Sequence, residues 1–184
     1  QQFPNCSISF IGQPYTQAVI ERCQQVDHFI SKADFITSHT TTKADAIIHV
    51  FPDAAIAKAA KGKDITLRIG TTNRWFHWLY CNRLVRLSRR HSPLHEAQLN
   101  AKLLQPLFLE TNYSLEQLAD AATLRTETSS AFSLDHSKYH LILHPTSKGS
   151  AREWGNENFE NLLRLLPKEN FTLYLCGLES DRTK

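Results

Sequence analysis

The stretch YHLILHPTSKGSAREWGNENFENLLRLLPKENFTLYLC (139–176) holds two short apolar runs with a helical pattern between them. The runs YHLILH (139–144) and TLYLC (172–176) are typical of buried strands. Apolar residues then recur at i, i+3, i+4 and i+7, a spacing that predicts one apolar helix face. These residues are Phe159, Leu162, Leu163 and Leu166. The stretch therefore predicts a strand–helix–strand unit of an α/β protein.

The first half of the chain repeats this alternation of strands and helices. Its apolar runs are SISFI (7–11), DAIIHV (45–50) and ITLRI (65–69). Helical patterns lie between them in TQAVIERC and in the alanine-rich DAAIAKAAKG, which Gly62 should end as a C-cap. Such alternation is typical of parallel sheets covered by helices. We expect these three strands to pair in one parallel sheet, and 139–144 to pair with 172–176 in another.

A polar region, 111–138, separates the two halves and contains one short helical pattern at 115–122. It predicts a first domain at 1–110, a linker at 111–138 and the start of a second domain at 139–184. Before the linker, Ser92 is a suitable N-cap and Pro93 a suitable first residue for a helix that Pro106 should limit.

Composition narrows the classes of function. The 184 residues carry a net charge of +3, which permits an anionic partner without requiring one. The four cysteines form no CxxC pair, so reduced thiols in a cytosolic protein are expected. No sequence run resembles a membrane span or a signal peptide. The nine histidines lack metal-ligand spacing and no nucleic-acid motif is present, so we expect no metal, no cofactor and no nucleic acid.

The loop between the strand at 139–144 and the following helix could bind phosphate. Thr146 and Ser147 offer hydroxyl groups, Lys148 and Arg152 offer positive charge, and Gly149 lets a ligand approach the backbone. The loop follows the carboxyl end of a strand and precedes a helix N-terminus, where anions bind readily. It lacks the spacing of the known phosphate-loop motifs, so a merely exposed polar loop is the alternative.

Two further clusters allow more than one interpretation. The aromatic run RWFHW (74–78) could stack on a sugar, although packing in the core is favoured. A basic cluster could meet an anionic glycolipid acceptor or the membrane surface that carries it, or could be the wet face of a helix with Leu84 and Leu87 turned inward. The cluster consists of Arg83, Arg86, Arg89 and Arg90.

The second strand–helix–strand unit resembles the start of the C-terminal domain of glycosyltransferase family 9, the lipopolysaccharide heptosyltransferases. The matching residues are Pro145, Thr146, Ser147, Arg152, Trp154, Asn158, Phe159 and Gly177. In the first half, FPNCSISFIGQPYTQAVIERCQQVDHFI is similar to the early strand and helix of the family and to the strand that follows. The segments ADAIIHVFP and LRIG resemble its next two strands. The resemblance spans nearly the whole chain.

This resemblance implies two Rossmann-like halves of the GT-B architecture and an inverting, metal-independent sugar transfer. The donor would be a nucleotide sugar such as ADP-heptose, and the acceptor an anionic lipopolysaccharide core. By position, Thr146 and Ser147 match residues that contact the phosphates of the donor, and Arg152 stands where the family more often has lysine. Glu179 or Asp181 lies near the position that holds the ribose.

The resemblance also implies that this chain is an internal piece whose two halves are both incomplete. The family's first strand and its Gly-Asp loop, with the proposed general base, would precede it, and an Asp-(Ser/Thr)-Gly-x-x-His stretch would follow it. No residue here is therefore assigned a catalytic role, and the piece alone is expected to be inactive. The parent would act at the cytoplasmic face of the inner membrane. A non-catalytic nucleotide- or glycan-binding module is the alternative.

Overall fold

The computed structural model describes residues 3–38, 44–88, 90–125, 134–147 and 152–177. The chain divides into two compact units, Gln1–Thr126 and Glu127–Lys184. Residues up to Arg125 are attached to the first unit, because the N–H of Arg125 donates to the carbonyl of Arg22. The predicted domain limits, 1–110, 111–138 and 139–184, stay a prediction.

The first unit alternates parallel strands with short helices. The strands are β1 (Ser9–Gly12), β2 (His28–Ser31), β3 (Ala46–Ile48), β4 (Leu67–Thr71) and β5 (Arg83–Val85). The helices are α1 (Gln17–Ile20), α2 (Lys32–Thr37), α3 (Ala54–Gly62), α4 (Trp75–Tyr80), α5 (Glu96–Ala101) and α6 (Leu115–Ala121). Two 3-10 helices, Pro14–Thr16 and Lys102–Leu107, complete the unit. The short helix predicted at 115–122 is confirmed as α6.

The named strands of the first unit pair in parallel, but within the described residues they form two sheets rather than one. β1 pairs with β2, and β3, β4 and β5 form a second sheet in that order. The prediction that 7–11 would pair in one sheet with 45–50 and 65–69 is therefore wrong for the described residues. Apolar periodicity marks a strand and its buried face, whereas the choice of neighbour depends on long-range packing.

Two apolar clusters hold this unit together. One packs Ile69, Val85 and Leu87 of the larger sheet region against Leu103. The other joins the two sheets through a shared helix layer. Its buried residues are Phe35, Ala60 and Ile65, and the strand residues packed against them are Ile11, Ile30 and Ile47. Because one helix layer covers strands of both sheets, the two sheets belong to a single folded unit.

The helix ends differ in detail from the sequence predictions. Gly62 is the last residue of α3 and not its left-handed cap, since the positive φ of 53° belongs to Asp64. The helix expected to start at Ser92 begins at Glu96, because His95 and Gln98 form a capping box there. Pro106 lies inside the 3-10 helix that continues the chain after α5.

The second unit is a parallel strand–helix–strand unit, as predicted. β6 (Tyr139–Leu143) pairs along its whole length with β7 (Phe171–Leu175). The helix α7 (Asn156–Leu165) connects them, and Phe159, Leu162 and Leu163 are among its half-buried residues. The predicted fold class, α/β with parallel sheets flanked by helices in two Rossmann-like halves, is confirmed.

Candidate functional site

A cavity of about 440 Å³ opens at the carboxyl ends of β4 and β5 in the first unit. In open parallel sheets, ligands bind in crevices beyond these strand ends. Polar and charged residues make up most of the lining of this cavity. They include Thr71, Thr72, Asn73, Arg74, Arg86 and Arg90.

Two chain segments bring these side chains together. The first runs from Thr71, the last residue of β4, to Arg74, the N-cap of α4. The second begins at Arg86, directly after the last residue of β5. Because β4 and β5 are adjacent parallel strands, their carboxyl ends meet at one edge of the sheet. The cavity is the space between the two segments.

Three arginines, Arg74, Arg86 and Arg90, are among the residues that line the cavity. Arginine keeps its charge throughout the physiological pH range. Arg86 and Arg90 are exposed, and neither forms an ion pair with any residue that the structure describes. Asp53, which follows β3, is held 2.5 Å from the ammonium of Lys32. Burial opposes ionisation of Asp53, but its hydrogen bonds with Lys32, Ile56 and Ala55 outweigh this and lower its pKa.

A buried histidine pair lies behind the wall of this cavity. His49 and His77 are almost fully buried, and their ring centroids are 5.4 Å apart. Burial, with a smaller effect of the neighbouring His77, lowers the pKa of His49 to about 4. Burial, and to a smaller extent the charge of Arg74, lowers the pKa of His77, although the backbone carbonyl of Thr71, which can accept from the protonated ring, opposes the shift. Both rings are therefore neutral near pH 7.

Burial also affects the thiol of Cys81, which lies beside His77. It raises the pKa of Cys81 to about 11, although the charge of Arg68 opposes the shift. A thiol with so high a pKa is protonated at neutral pH and is a poor nucleophile. The thiol of Cys81 is therefore expected to be protonated at neutral pH.

The structure separates the members of the predicted arginine cluster. Arg86 and Arg90 line the cavity, whereas Arg83 begins β5 and donates to the carbonyl of Asn82. Arg89 lies outside the described residues. The alternative in which this segment is the wet face of a helix is wrong, because 83–85 form a strand.

The aromatic run at 74–78 divides in the same way. His77 is buried, but the side chains of Trp75 and Trp78 are 72% and 63% exposed. The favoured interpretation, that the run packs in the core, is therefore wrong for both tryptophans. Both tryptophans belong to α4, whose buried residue is His77.

Sequence reasoning missed the segment from Thr71 to Arg74. A signal was present, because TTNR follows the apolar run ITLRIG and precedes a helix. That is the arrangement that indicated the loop after 139–144. The sequence does not show which second loop lies beside the Thr71–Arg74 segment in the fold.

The loop after β6 is the second candidate site, and it belongs to the other unit. The N–H of Cys176 donates to the carbonyl of Leu143 at the carboxyl end of the β6–β7 pair. Thr146 and Ser147 are half-buried just beyond that end, and Arg152 is exposed where the described chain resumes. The other predicted site residues, Lys148, Glu179 and Asp181, lie outside the described residues.

A carboxylate that was not predicted enters this loop. The N–H of Ser147 donates to Oε1 of Glu153 at 2.7 Å. Trp154 packs edge-on against Phe159 with ring centroids 5.0 Å apart, and the amide of Asn158 donates to the carbonyl of Trp154. These contacts fix the segment that carries Arg152 to the first turn of α7.

Two features are absent from the described part of the chain, a metal-binding cluster and a membrane-spanning helix. No three His, Cys, Asp or Glu side chains are grouped there so that they could hold a metal ion. None of its helices is long and apolar enough to cross a membrane.

Comparison with known proteins gives a consistent result. Residues 50–184 match the model of glycosyltransferase family 9 (heptosyltransferase). The chain is also similar to the crystal structure of the glycosyl transferase family 9 from Veillonella parvula DSM 2008, with a TM-score of 0.70 at 16% identity. The match covers 98% of this chain and 56% of that one, so the chain spans just over half of that protein. No curated protein matches the sequence.

Proposed function

Since the chain belongs to glycosyltransferase family 9, we propose that the protein transfers a sugar from a nucleotide-sugar donor to an acceptor hydroxyl. The donor is ADP-heptose and the acceptor is a lipopolysaccharide core. The hydroxyl attacks the anomeric carbon, the diphosphate leaves, and the configuration inverts. Neither a metal nor another cofactor takes part, so protein cations and dipoles must stabilise the departing diphosphate.

The donor diphosphate binds at the loop after β6. Arg152 supplies charge-assisted hydrogen bonds, and the hydroxyl groups of Thr146 and Ser147 complete the contact. The positive end of α7, a helix of ten residues, supports the same charge. Lys148 adds a weaker contact, and Glu179 or Asp181 holds the ribose. The supporting observation is placement, because the loop joins a strand's carboxyl end to a helix N-terminus.

The acceptor binds in the cavity of the first unit, and this cavity carries the proposal. Arg74, Arg86 and Arg90 converge on about 440 Å³ of space at the strand ends. The latter two form no ion pair within the described chain, so their charge is available to a ligand. Several cations around one polar cavity favour a ligand that carries several phosphate or carboxylate groups. An anionic glycolipid core has this chemistry.

A lipid-linked acceptor places the protein at the cytoplasmic face of the inner membrane. Trp75 and Trp78 are exposed on α4, the helix that directly follows the cavity residue Arg74. Tryptophan side chains favour membrane–water interfaces, and basic side chains favour anionic lipid head groups. We therefore propose peripheral contact with that membrane surface through α4.

Acceptor and donor bind to different parts of the chain in this scheme. Residues 1–110 form the acceptor side, residues 111–138 connect the two sides, and residues 139–184 begin the donor side.

The second candidate function is a nucleotide- or glycan-binding module without catalysis. Its basis is that the described chain offers hydroxyl groups and arginines at both sites, while we assign no general base within it.

The test is an assay of the complete protein with ADP-heptose and purified lipopolysaccharide core, analysed by mass spectrometry. We expect a product that is heavier by one heptose, with release of ADP. NMR coupling at the new anomeric centre should show inversion. Binding of both ligands without transfer would support the module, and binding of neither would contradict both proposals.

A further inference from the structure

The turn that follows β4 forms much of the cavity wall, and its backbone has an unusual partner. The parallel register between β3 and β4 ends at the pair Ile48 and Ile69. Thr71 lies two residues beyond this pair and is buried. Its N–H donates instead to Nδ1 of His77, at 2.9 Å. The side chain of His77, on α4, therefore accepts the hydrogen bond that β3 would accept if its pairing with β4 continued to Thr71.

This hydrogen bond requires one protonation state of His77. A backbone N–H can donate to Nδ1 only when that nitrogen carries no proton. The same nitrogen lies 3.1 Å from the carbonyl oxygen of Thr71. It could donate to that oxygen only if it carried the proton. The ring is fully buried, and Arg74 disfavours a second positive charge nearby. The ring is thus neutral, and the hydrogen bond from the N–H of Thr71 is formed by the tautomer whose proton is on Nε2, a buried atom without a hydrogen-bond partner among the described residues.

The ring is also fixed by packing against the strand. A Cβ atom added at Gly70 would lie 2.7 Å from Cγ of His77 and 2.8 Å from both its Nδ1 and the Sγ of Cys81. Only a residue without a side chain allows this close approach of ring and backbone. The packing of α4 against β4 therefore fixes the position of the His77 imidazole relative to Thr71.

A second side chain of α4 holds the next residue of the turn. Nε1 of Trp78 donates to the carbonyl of Thr72 at 3.0 Å. On the opposite side, the N–H of Thr72 donates to the carbonyl of Val85, and the side-chain amide of Asn73 donates to the carbonyl of Leu87. Consecutive residues of the cavity wall are thus fixed to α4 on one side and to the β5 segment on the other.

We infer that His77 and Trp78 are positioning residues of the anion-binding cavity. They hold the Thr71–Asn73 turn in the conformation that completes the space between the arginines. Without an acceptor at position 77, the buried N–H of Thr71 costs free energy and the turn shifts to conformations in which water reaches it. The apparent affinity then falls by the fraction of molecules that leave the binding conformation. This inference rests on the proposed acceptor site.

The test is calorimetric titration of the complete protein with inorganic pyrophosphate at pH 8. ADP is present at saturation to occupy the proposed nucleotide site. His77→Leu keeps the bulk and removes the acceptor, whereas His77→Asn places an amide oxygen near the position of Nδ1. Trp78→Phe keeps an aromatic ring and removes its N–H. The double variant Arg86→Ala/Arg90→Ala defines which part of the binding belongs to the cavity, and circular dichroism confirms folding.

We expect the double variant to lose the binding, His77→Leu to weaken it about tenfold, and His77→Asn to stay within about threefold of the parent. Should His77→Leu not fold, an affinity loss in Trp78→Phe with retention in His77→Asn supports the inference. Loss in the double variant with parental affinity in folded His77→Leu and in Trp78→Phe overturns the inference alone. Equal loss in the leucine and asparagine variants overturns it as well. Parental binding by the double variant overturns both the inference and the acceptor site.

Discussion

The carboxylate of Glu153 accepts a hydrogen bond of 2.7 Å from the backbone N–H of Ser147, across the loop that follows β6. A carboxylate therefore contacts the loop at which we propose that the diphosphate binds. Arg152, the proposed contact to the diphosphate, directly precedes Glu153 in the sequence.

Glu153→Gln should strengthen the binding of ADP about threefold to tenfold, because it removes a negative charge that repels the diphosphate. The glutamine oxygen can still accept from Ser147, so the loop should keep its shape. Calorimetric titration of the complete protein measures the change. Glu160→Gln is the matched control, because Glu160 lies on α7 and pairs there with Arg164. Weaker binding by Glu153→Gln would contradict the proposed position of the diphosphate.

Arg152→Ala should weaken ADP binding about tenfold to a hundredfold. A charge-assisted hydrogen bond contributes about 1.5–3 kcal/mol, and about 1.4 kcal/mol corresponds to one decade in affinity. Lys148→Ala should cost less. Arg164→Ala removes an exposed arginine from the last turn of α7 and should leave the affinity unchanged. Parental affinity in a folded Arg152→Ala protein would place the diphosphate elsewhere.

The sequence predicted those parts of the fold that depend on local pattern. The apolar runs that became β6 and β7 were recognised, and so was their parallel pairing, because a short helical crossover allows little else. β5 was missed because it has three residues, begins with Arg83 and lies within a basic segment. The partner of β1 was assigned wrongly, because pairing depends on contacts between distant residues such as Phe35 and Ile65.

The same division holds for the candidate sites. The loop after β6 was found because its features are contiguous in sequence, whereas Glu153 was overlooked because its role depends on where its side chain turns. The cavity of the first unit arises where Arg74 and Arg86, twelve positions apart in the sequence, meet through the pairing of two strands. Periodicity in a single sequence does not contain that pairing.

Gly155→Ala should destabilise the second unit by about 1–3 kcal/mol. Gly155 has φ 95° and ψ 146°, a conformation that residues with a Cβ atom rarely adopt. Urea unfolding measures the loss. Gly62→Ala is the matched control, because a Cβ atom there meets nothing within 4 Å at the end of α3, and it should stabilise by about 0.5–1 kcal/mol. Equal effects of the two substitutions would contradict the role of backbone conformation.

His49 should make the stability of the first unit fall in acid. Its pKa is lowered from 6.5 to about 4 in the folded chain, chiefly by burial. Between these values the unfolded chain binds the proton more tightly, so the free energy of unfolding falls as pH drops from 6.5 and levels off below 4. The shift corresponds to a loss of about 3 kcal/mol.

Urea unfolding at several pH values compares the parent with His49→Asn, in which this titration is absent. The variant should show a smaller slope between pH 6.5 and pH 4, and the exposed His136→Asn should retain the parental slope. Identical slopes in the parent and His49→Asn would show that the buried imidazole is not the group that titrates.

Salt should weaken binding of the anionic acceptor through the arginines of the cavity. Screening reduces the attraction between exposed charges, with a Debye length of about 8 Å at 0.15 M salt. We expect KM for lipopolysaccharide core to rise about tenfold between 50 and 300 mM NaCl, while KM for the donor changes less. Arg86→Ala/Arg90→Ala should raise KM at low salt and flatten its dependence. Arg83→Ala, at the opposite end of β5, should keep the parental dependence. If the double variant retains the full salt response, the attraction arises outside the cavity and the acceptor is bound by other residues.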